Sequence, residues 1–250
     1  MLNRFSRTEL LLGEEALATL AQSRVAVFGM GGVGGFCAEA LARSGVGALD
    51  LVDHDKVSLT NVNRQIVALS STIGRNKAEV MAERIRDINP ACQVTAHVCF
   101  YLPDTADEID LTQFDYIVDC VDTVTAKLLL AERAQEAGVP IISSMGTANK
   151  LDPTALRVGD ISETSICPLA KIIRKECRKR GIKRLKVVYS TEPAQQPGDE
   201  AQAAYREDAE SADSTVCDKF GRAGIPGSTA FVPPTAGLIL ASEVVGDLIR

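Results

Sequence analysis

Residues 27–35 read VFGMGGVGG, in which a short apolar run leads into five glycines within seven positions. The apolar run predicts a buried strand at 24–29, and the pattern after the glycines predicts a helix at 33–44. Glycines between a strand and a helix let backbone N–H groups approach phosphate oxygens, and the helix N-terminus adds partial positive charge. A tight turn without a ligand is the simpler alternative. We predict that a phosphate of a nicotinamide dinucleotide or of ATP binds at Gly29, Gly31, Gly32 and Gly34.

Strand and helix patterns continue to alternate through the first 145 residues. The predicted strands are 24–29, 48–53, 93–98, 116–121 and 139–144, and the predicted helices are 33–44, 77–88 and 127–137. This alternation predicts an α/β fold, Rossmann-like and doubly wound, in which helices cover both faces of a mainly parallel sheet.

The pattern changes after about residue 150. Short strands near 156–158 and 185–190 flank an amphipathic helix at 169–180, and a last helix at 236–249 is expected to pack back on the sheet. Residues 192–215, with seven acidic residues, predict a mobile loop. We therefore predict a nucleotide-binding core at 1–150 and a C-terminal α/β extension at 151–250 that packs on the same domain.

Composition narrows the class of protein. The chain has 250 residues, 46% of them apolar, and a net charge of −6, which suits one large domain or two small ones. Its seven cysteines show no C-x-x-C spacing, which argues against a four-thiolate zinc site and predicts reduced thiols. The charged N-terminus and the short apolar runs predict neither a signal peptide nor a membrane span. We expect a cytoplasmic protein.

The stretch DHDKVSLTNVNRQ at 53–65 distinguishes the two nucleotides. Asp53 ends the second strand, where a carboxylate accepts hydrogen bonds from ribose hydroxyls of either one. The polar side chains that follow are Asn61, Asn63, Arg64 and Gln65. A dehydrogenase has no need of them, whereas a cation and amide donors stabilise the charge that builds as pyrophosphate leaves ATP. This stretch therefore favours ATP as a reactant.

Two more charged residues support the same prediction. Lys77 begins the helix at 77–88 and is placed to contact a phosphate. Asp122 follows the fourth strand, at the edge of the sheet where ligands of open α/β folds bind. Its carboxylate suits Mg²⁺, which prefers hard oxygen ligands, while strand alternation favours a structural role for Asp119. The predicted cofactors are ATP and Mg²⁺.

Four separated motifs occur in order along the first 150 residues: GMGGVG, LVDHDKVSLTNVNRQ, GRNKAEVMAERIRDINP and VDCVDTVTAK. On these motifs the chain resembles the E1-like adenylating superfamily, which includes activators of ThiS- and MoaD-type sulfur carriers. In the second half, KLDPTALRVGDIS, CPLAK and VYSTE are similar to the bacterial tRNA threonylcarbamoyladenosine dehydratase branch. The resemblance implies ATP-dependent adenylation of a carboxylate.

The resemblance also implies a role for each predicted residue. The glycines line the ATP phosphates, Asp53 holds the ribose, and Asp122 holds Mg²⁺. The other implied contacts to ATP are Asn61, Arg64, Gln65 and Lys77. Arg7, on a predicted N-terminal helix, matches an arginine that family members insert into the ATP site of a partner subunit. A homodimer with shared ATP sites is therefore implied.

The implied substrate is t6A-modified, ANN-decoding tRNA, whose threonylcarbamoyl group on adenosine 37 carries the carboxylate. An internal nucleophile then displaces AMP and closes a ring, with net loss of water. A sulfur-transfer or desulfurase-associated protein is a further candidate partner. Many superfamily members use a nucleophilic cysteine; here Cys167, before Pro168 at a helix start, is the best candidate and Cys217 a weaker one. A structural role is favoured for both.

Residues 171–186 contain nine Lys or Arg and one Glu, a local charge of +8. Such a face neutralises RNA phosphates, although a solvated helix balanced by the acidic 192–213 segment would carry the same pattern. The predicted RNA-binding residues are Arg174, Lys175, Arg178 and Lys179.

Three other functions remain open at this point. The first is adenylation of the C-terminal glycine of a ubiquitin-like sulfur carrier. The second is the activity of an NAD-dependent oxidoreductase, and the third is nucleotide binding without catalysis.

Overall fold

A computed structural model describes residues 2–204 and 226–250 of the chain. Its strands form one sheet in the order β3-β2-β1-β4-β5-β7-β6, and only β6 runs antiparallel to its neighbour within this described part. The strands are β1 Arg24–Phe28, β2 Ala48–Val52, β3 Gln93–His97, β4 Tyr116–Asp119, β5 Ile141–Ser144, β6 Leu156–Asp160 and β7 Lys186–Ser190. The predicted α/β fold with a mainly parallel sheet is confirmed.

Helices cover both faces of the sheet. They are α1 Ser6–Leu12, α2 Glu14–Gln22, α3 Gly34–Ser44, α4 Lys77–Ile88, α5 Val124–Ala137, α6 Pro168–Arg180 and α7 Val232–Leu248. Val25 and Val27 of β1 pack with α2, α3, α4 and α7, while Ala26 and Phe28 pack on the side of α5. Because β1 is buried on both faces, its sequence is continuously apolar rather than alternating. In the residues described, none of the helices has the length and apolar character needed to cross a membrane.

The second half of the chain extends the sheet of the first half. Strand β7 pairs in parallel with β5, and β6 pairs with β7. Helix α7 begins at Val232, four residues before the predicted start, because Pro233 and Pro234 occupy its first turn, where a missing N–H costs nothing. Residues 199–204 of the predicted acidic loop are helical, and its residues 205–215 lie outside the described part. The division at residue 150 stays a prediction.

Arginine side chains cover backbone carbonyls on both edge strands. Arg86 of α4 donates to the carbonyl oxygen of Val94 in β3 at 2.9 Å. On the other edge, Arg157 donates to the carbonyl oxygen of Leu156 in β6 at 2.7 Å. Each edge therefore has a carbonyl that is already hydrogen-bonded.

Candidate functional site

A cavity of about 850 Å³ opens where strands β1 to β5 end. It lies at the point where strand order reverses between β1 and β4, the position at which open α/β sheets bind ligands. The predicted residues that line it are Gly29, Gly31, Gly32, Asp53, Asn61, Arg64, Gln65, Lys77 and Asp122. The fold therefore gathers in one cavity nine residues that come from five separate segments of the chain.

The glycines of the loop have two different roles. Gly29 has a φ of +90°, and a Cβ there would lie 2.7 Å from the carbonyl oxygen of Cys120. A Cβ on Gly34 would lie 1.8 Å from the carbonyl oxygen of Gly29, so the turn closes only with glycine at both positions. Gly34 does not line the cavity, whereas Gly31 does. A Cβ on Gly31 would meet, within 4 Å and among the described residues, only Gln65 Nε2 at 3.9 Å. Gly29 and Gly34 shape the turn, and Gly31 leaves space for a ligand.

Asp53 ties the end of β2 to the glycine loop. One carboxylate oxygen accepts from the Met30 N–H at 2.6 Å, and the other accepts from the Asp55 N–H at 2.7 Å. Burial raises the pKa of this carboxyl, while the charge of Lys77 and the two backbone N–H groups oppose the rise. The observed contacts make Asp53 a support of the loop, and its predicted contact to ribose remains a prediction.

Asp55, two residues further on, was assigned no role from the sequence. Its carboxylate accepts from Lys77 Nζ at 2.9 Å and lies 3.0 Å from His54 Nε2. Asp55 lines the cavity, and its side chain is 38% exposed, whereas Asp53 is buried. The signal for this residue in the sequence was the pattern Asp-His-Asp at 53–55. Two aspartates at this spacing take different partners, so the second one required a role of its own.

Arg64 and Gln65 lie beside the glycine loop. Arg64 Nη1 donates to the Thr60 carbonyl at 2.9 Å and to Asn63 Oδ1 at 2.8 Å. Gln65 is buried, and its Oε1 has no hydrogen-bond partner among the described residues. A buried polar atom of this kind is usually satisfied by a ligand or water. The amide Nε2 lies 3.9 Å from the position that a Cβ on Gly31 would take, so its N–H groups face the space proposed for a phosphate.

Asn61 differs from the other polar residues of this stretch. It is buried, and its Oδ1 accepts from the Ser58 N–H at 3.2 Å in the cap of a short 3-10 turn, Leu59–Asn61. The contact folds the segment that presents Arg64 to the cavity. Asn61 therefore lines the cavity with a side chain already engaged by its own loop.

Asp119 ends β4 and Asp122 follows that strand, and the two aspartates have different surroundings. Asp119 is buried and accepts from Lys127 Nζ at 3.0 Å and from Ser143 Oγ at 2.5 Å. Asp122 is exposed and lines the cavity. Asp119 thus has the contacts of a structural residue, while Asp122 is open to a ligand.

The cysteines that line the cavity are not the two that the sequence offered as candidate nucleophiles. Cys167 is buried, and Cys217 lies outside the described residues. Cys99 and Cys120 line the cavity instead. Burial raises the pKa of Cys120 well above its usual value, with smaller contributions from Cys37 and Asp119. A thiol held protonated in this way is a poor nucleophile.

One wall of the cavity comes from residues that no motif marked. Pro226, Gly227, Ser228 and Pro233 line it, together with residues after β5. Asn149, with a φ of +59°, accepts from the Gly227 N–H at 2.6 Å and from the Gln195 N–H at 2.7 Å. Asn63 Nδ2 donates to the Ser228 carbonyl at 3.0 Å. The second half of the chain is thus hydrogen-bonded to the predicted core at the cavity.

The predicted RNA-binding helix starts at the cavity rim. Leu169 in the first turn of α6 lines the cavity, and Lys175, Arg178 and Lys179 are exposed further along the helix. Arg174 is half-buried and donates to the Thr164 carbonyl at 2.5 Å. Lys175 and Arg178 are therefore open to a polyanion. Lys179 is exposed but is paired with Glu176 at 2.6 Å, and Arg174 is engaged with Thr164.

Arg7 is exposed on α1, away from the cavity of its own chain. That position leaves its predicted insertion into a partner's site as a prediction.

Comparison with known proteins gives relatives over the whole chain. The sequence matches the ThiF family over residues 5–246. It is 46% identical to the tRNA threonylcarbamoyladenosine dehydratase of Bacillus subtilis, covering 100% of this chain and 96% of that protein. Two crystal structures of the Escherichia coli tRNA N6-threonylcarbamoyladenosine dehydratase are each 33% identical and cover 98% of this chain. The complex with AMP has a TM-score of 0.84 over 94% of its chain, and the complex with ATP has 0.82 over 93%. The resemblance predicted from the motifs is confirmed.

Proposed function

This chain belongs to the ThiF family, and on that premise we propose that it is an ATP-dependent tRNA-modifying enzyme that adenylates a carboxylate. The cavity carries the proposal, because it combines a phosphate-binding turn, two cations (Arg64 and Lys77) and the exposed carboxylate of Asp122. By similarity to the dehydratases, the carboxylate is that of the threonylcarbamoyl group of tRNA. A tRNA substrate also agrees with the expected cytoplasmic location.

The shape of the cavity suits a nucleotide triphosphate. A volume of about 850 Å³ lies within the range of small-molecule sites. Gly31 leaves the phosphates room beside the start of α3, where N–H groups and the helix dipole favour negative charge. Among the described residues the Gln65 amide oxygen has no hydrogen-bond partner, so it can accept from a ligand hydroxyl or from water. At the end of β2, Asp53 keeps lone pairs beyond its two backbone contacts with which it accepts from the ribose hydroxyls, and Asp55 holds Lys77 for a phosphate.

The first step breaks the bond between the α- and β-phosphates. A carboxylate oxygen of the substrate attacks the α-phosphorus, pyrophosphate leaves, and an acyl-adenylate forms. Arg64 and Lys77 stabilise the charge that develops on the departing oxygens. Asp122 would hold Mg²⁺, which neutralises phosphate charge when bound. Holding both reactants in one cavity supplies about 7–11 kcal/mol of the barrier reduction by approximation.

The second step needs no nucleophile from the protein. A nitrogen or oxygen of the threonylcarbamoyl group attacks the activated carbonyl, AMP leaves, and the ring closes with net loss of water. This route agrees with the raised pKa of the buried Cys120 thiol and with the burial of Cys167.

The basic face of α6 is the proposed RNA contact. Because α6 begins at the cavity rim, RNA bound along its exposed cations would lie next to the cavity. Lys175, Arg178 and Lys179 would contact phosphates, with an affinity that falls steeply as salt rises.

A homodimer in which Arg7 completes the partner's site is part of the proposal. Two inactive variants, Arg7→Ala and Lys77→Met, provide the test. Mixing them regenerates one complete site in each heterodimer and about a quarter of the wild-type activity on random assortment. Absence of recovery after verified subunit exchange would contradict shared sites.

Mass spectrometry of tRNA nucleosides tests the function as a whole. With ATP and this protein, threonylcarbamoyladenosine should be replaced by a nucleoside lighter by one water, and AMP should form in equal amount. Exchange of labelled pyrophosphate into ATP should depend on added t6A-modified tRNA. Exchange that instead depends on a sulfur-carrier protein with a C-terminal glycine would assign the alternative substrate and make a sulfur-transfer partner the next candidate.

A further inference from the structure

Helix α7 lies directly against the first turn of α3, the helix that follows the glycine loop. A Cβ on Gly237 would lie 2.2 Å from the Val33 carbonyl oxygen and 3.1 Å from the Cys37 nitrogen. These two atoms form a hydrogen bond of the first turn of α3, with a length of 3.1 Å. The contact is with backbone, so no side-chain rotation would make room for a methyl group at position 237.

One turn earlier, α7 also contacts the glycine loop itself. A Cβ on Gly32 would lie 3.1 Å from Pro233 Cβ and 3.5 Å from Arg64 Cγ. The loop therefore lies between the first turn of α7 and the arginine proposed to stabilise the leaving group. Gly32, Pro233 and Arg64 all line the cavity.

Residues 233 and 237 are four apart and share one face of α7. A displacement of the helix at position 237 would therefore move Pro233 and change the support of Gly32. The other end of α7 is held separately, since Asp247 accepts from Tyr116 Oη and from Lys186 Nζ, both at 2.7 Å. The helix would tilt at its N-terminal end while its C-terminal end stays fixed.

We infer that Gly237 is a positioning residue for the nucleotide: its missing side chain lets α7 seat the glycine loop and Arg64 at the correct distance from the ATP phosphates. This inference rests on the proposed use of ATP. It assigns to the C-terminal helix a function that no local motif in that helix indicates.

The test compares the same substitution at two glycines of one helix. Gly237→Ala introduces the methyl group against α3. Gly246→Ala introduces it where, of the residues that the structure describes, Arg250 Nη2 at 3.8 Å is the only neighbour within 4 Å. Both substitutions improve helix propensity equally. Binding of ATP is measured by calorimetry, and KM for ATP and for tRNA are measured separately.

Gly237→Ala should weaken ATP binding and raise KM for ATP by roughly tenfold to a hundredfold, because a shift of about 1 Å in a site costs that much. KM for tRNA should change little. Gly246→Ala should bind ATP like the wild type. Asp247→Asn, which loosens the far end of α7, should lower Tm without weakening ATP binding.

Pro233→Gly covers the case in which Gly237→Ala does not fold. It removes the contact with Gly32 without a clash, and it should raise KM for ATP severalfold, in the same direction. Equal ATP affinity in Gly237→Ala and Gly246→Ala, or unchanged affinity in Pro233→Gly, would overturn the inference. Failure of the wild type to bind ATP would instead remove the proposed function on which it rests.

Discussion

Two aspartate–lysine pairs lie at the same edge of the sheet and differ mainly in their access to solvent. Asp119 and Lys127 are joined at 3.0 Å, with side chains 1% and 2% exposed. Asp55 and Lys77 are joined at 2.9 Å, but the Asp55 side chain is 38% exposed and lines the nucleotide cavity. The chemistry and the distance are nearly the same in both pairs.

The difference in burial separates structural from chemical use. The Asp119 carboxylate also accepts from Ser143 and from the Val121 N–H, so its hydrogen-bonding capacity is used within the protein. Breaking such a pair leaves an uncompensated charge in the interior. Lys77 is held by a half-exposed partner, and an incoming phosphate can share it without stranding a buried charge. The Asp119–Lys127 pair, called the sealed pair here, holds β4, β5 and α5 together. The Asp55–Lys77 pair, called the open pair here, is available to a substrate.

The largest expected effect is on the sealed pair. Lys127→Met should lower the free energy of unfolding by about 3–5 kcal/mol, because it leaves the Asp119 carboxylate buried without its partner. Chemical denaturation measures the change. The double variant Lys127→Met, Asp119→Leu should recover most of it, since no charge then remains in the interior. A loss below about 1 kcal/mol in the single variant would show that the pair is not sealed.

The same substitution in the open pair should affect chemistry instead. Lys77→Met should reduce AMP formation by about 10²–10³-fold, the usual effect of removing one group that stabilises transition-state charge. The unfolding free energy should change by no more than about 1 kcal/mol, because water can hydrate Asp55. The rate of AMP formation is measured at saturating tRNA, and the free energy of unfolding is measured from a denaturation curve. A stability loss as large as that of Lys127→Met would erase the distinction between the pairs.

A third, smaller effect concerns Asp122, the aspartate that follows β4. Asp122→Asn should weaken Mg²⁺ binding by about 10–100-fold, and raising the Mg²⁺ concentration should restore AMP formation. The fold should be unaffected, since Asp122 is exposed in the cavity. Magnesium titrations of the wild type and the variant measure this. Activity that no Mg²⁺ concentration restores would assign Asp122 a role other than metal binding.

The smallest effect concerns α6, which carries both solvent-exposed cations and a cation that is hydrogen-bonded within the protein. Lys175→Gln and Arg178→Gln should each reduce the slope of log K against log salt concentration for tRNA binding by about 1, because each removes one phosphate contact. Arg174→Gln should leave that dependence unchanged and lower Tm instead, because its guanidinium is bonded to Thr164. Binding isotherms at several salt concentrations give the slopes. Equal slopes for all three variants and the wild type would remove α6 from the RNA interface.

Local patterns predicted the fold well because they depend on short-range periodicity. Helix α4 begins and ends at the predicted residues, Lys77 and Ile88, and the glycine loop occurs between the predicted strand and helix. The residues of DHDKVSLTNVNRQ could be placed in the cavity because they directly follow the end of β2. The sequence could not tell which aspartate of that stretch would be tied to the backbone, since that depends on the position of the Met30 N–H.

Contacts between distant segments could not be predicted from local sequence patterns. Ser228 and Pro233 carry no motif, yet they form a wall of the cavity. The position of Ser228 follows from its hydrogen bond to Asn63 and from the hydrogen bond of the neighbouring Gly227 to Asn149. The position of Pro233 follows from the packing of α7 on α3. The engagement of Arg174 by Thr164 likewise depends on a tertiary contact. A charge pattern predicts which face of a helix is basic, but not which of its cations are available.

The arginine contacts on the two edge strands bear on how copies of the chain can meet. An unprotected edge would offer a row of N–H and carbonyl groups for strand addition by another molecule, a common route to aggregation. Arg86 on β3 and Arg157 on β6 each bring a positive charge and a competing donor to that row. Association that extends one sheet into the next is therefore disfavoured at both ends. The seven-stranded sheet therefore leaves any contact between copies of the chain to helices and loops.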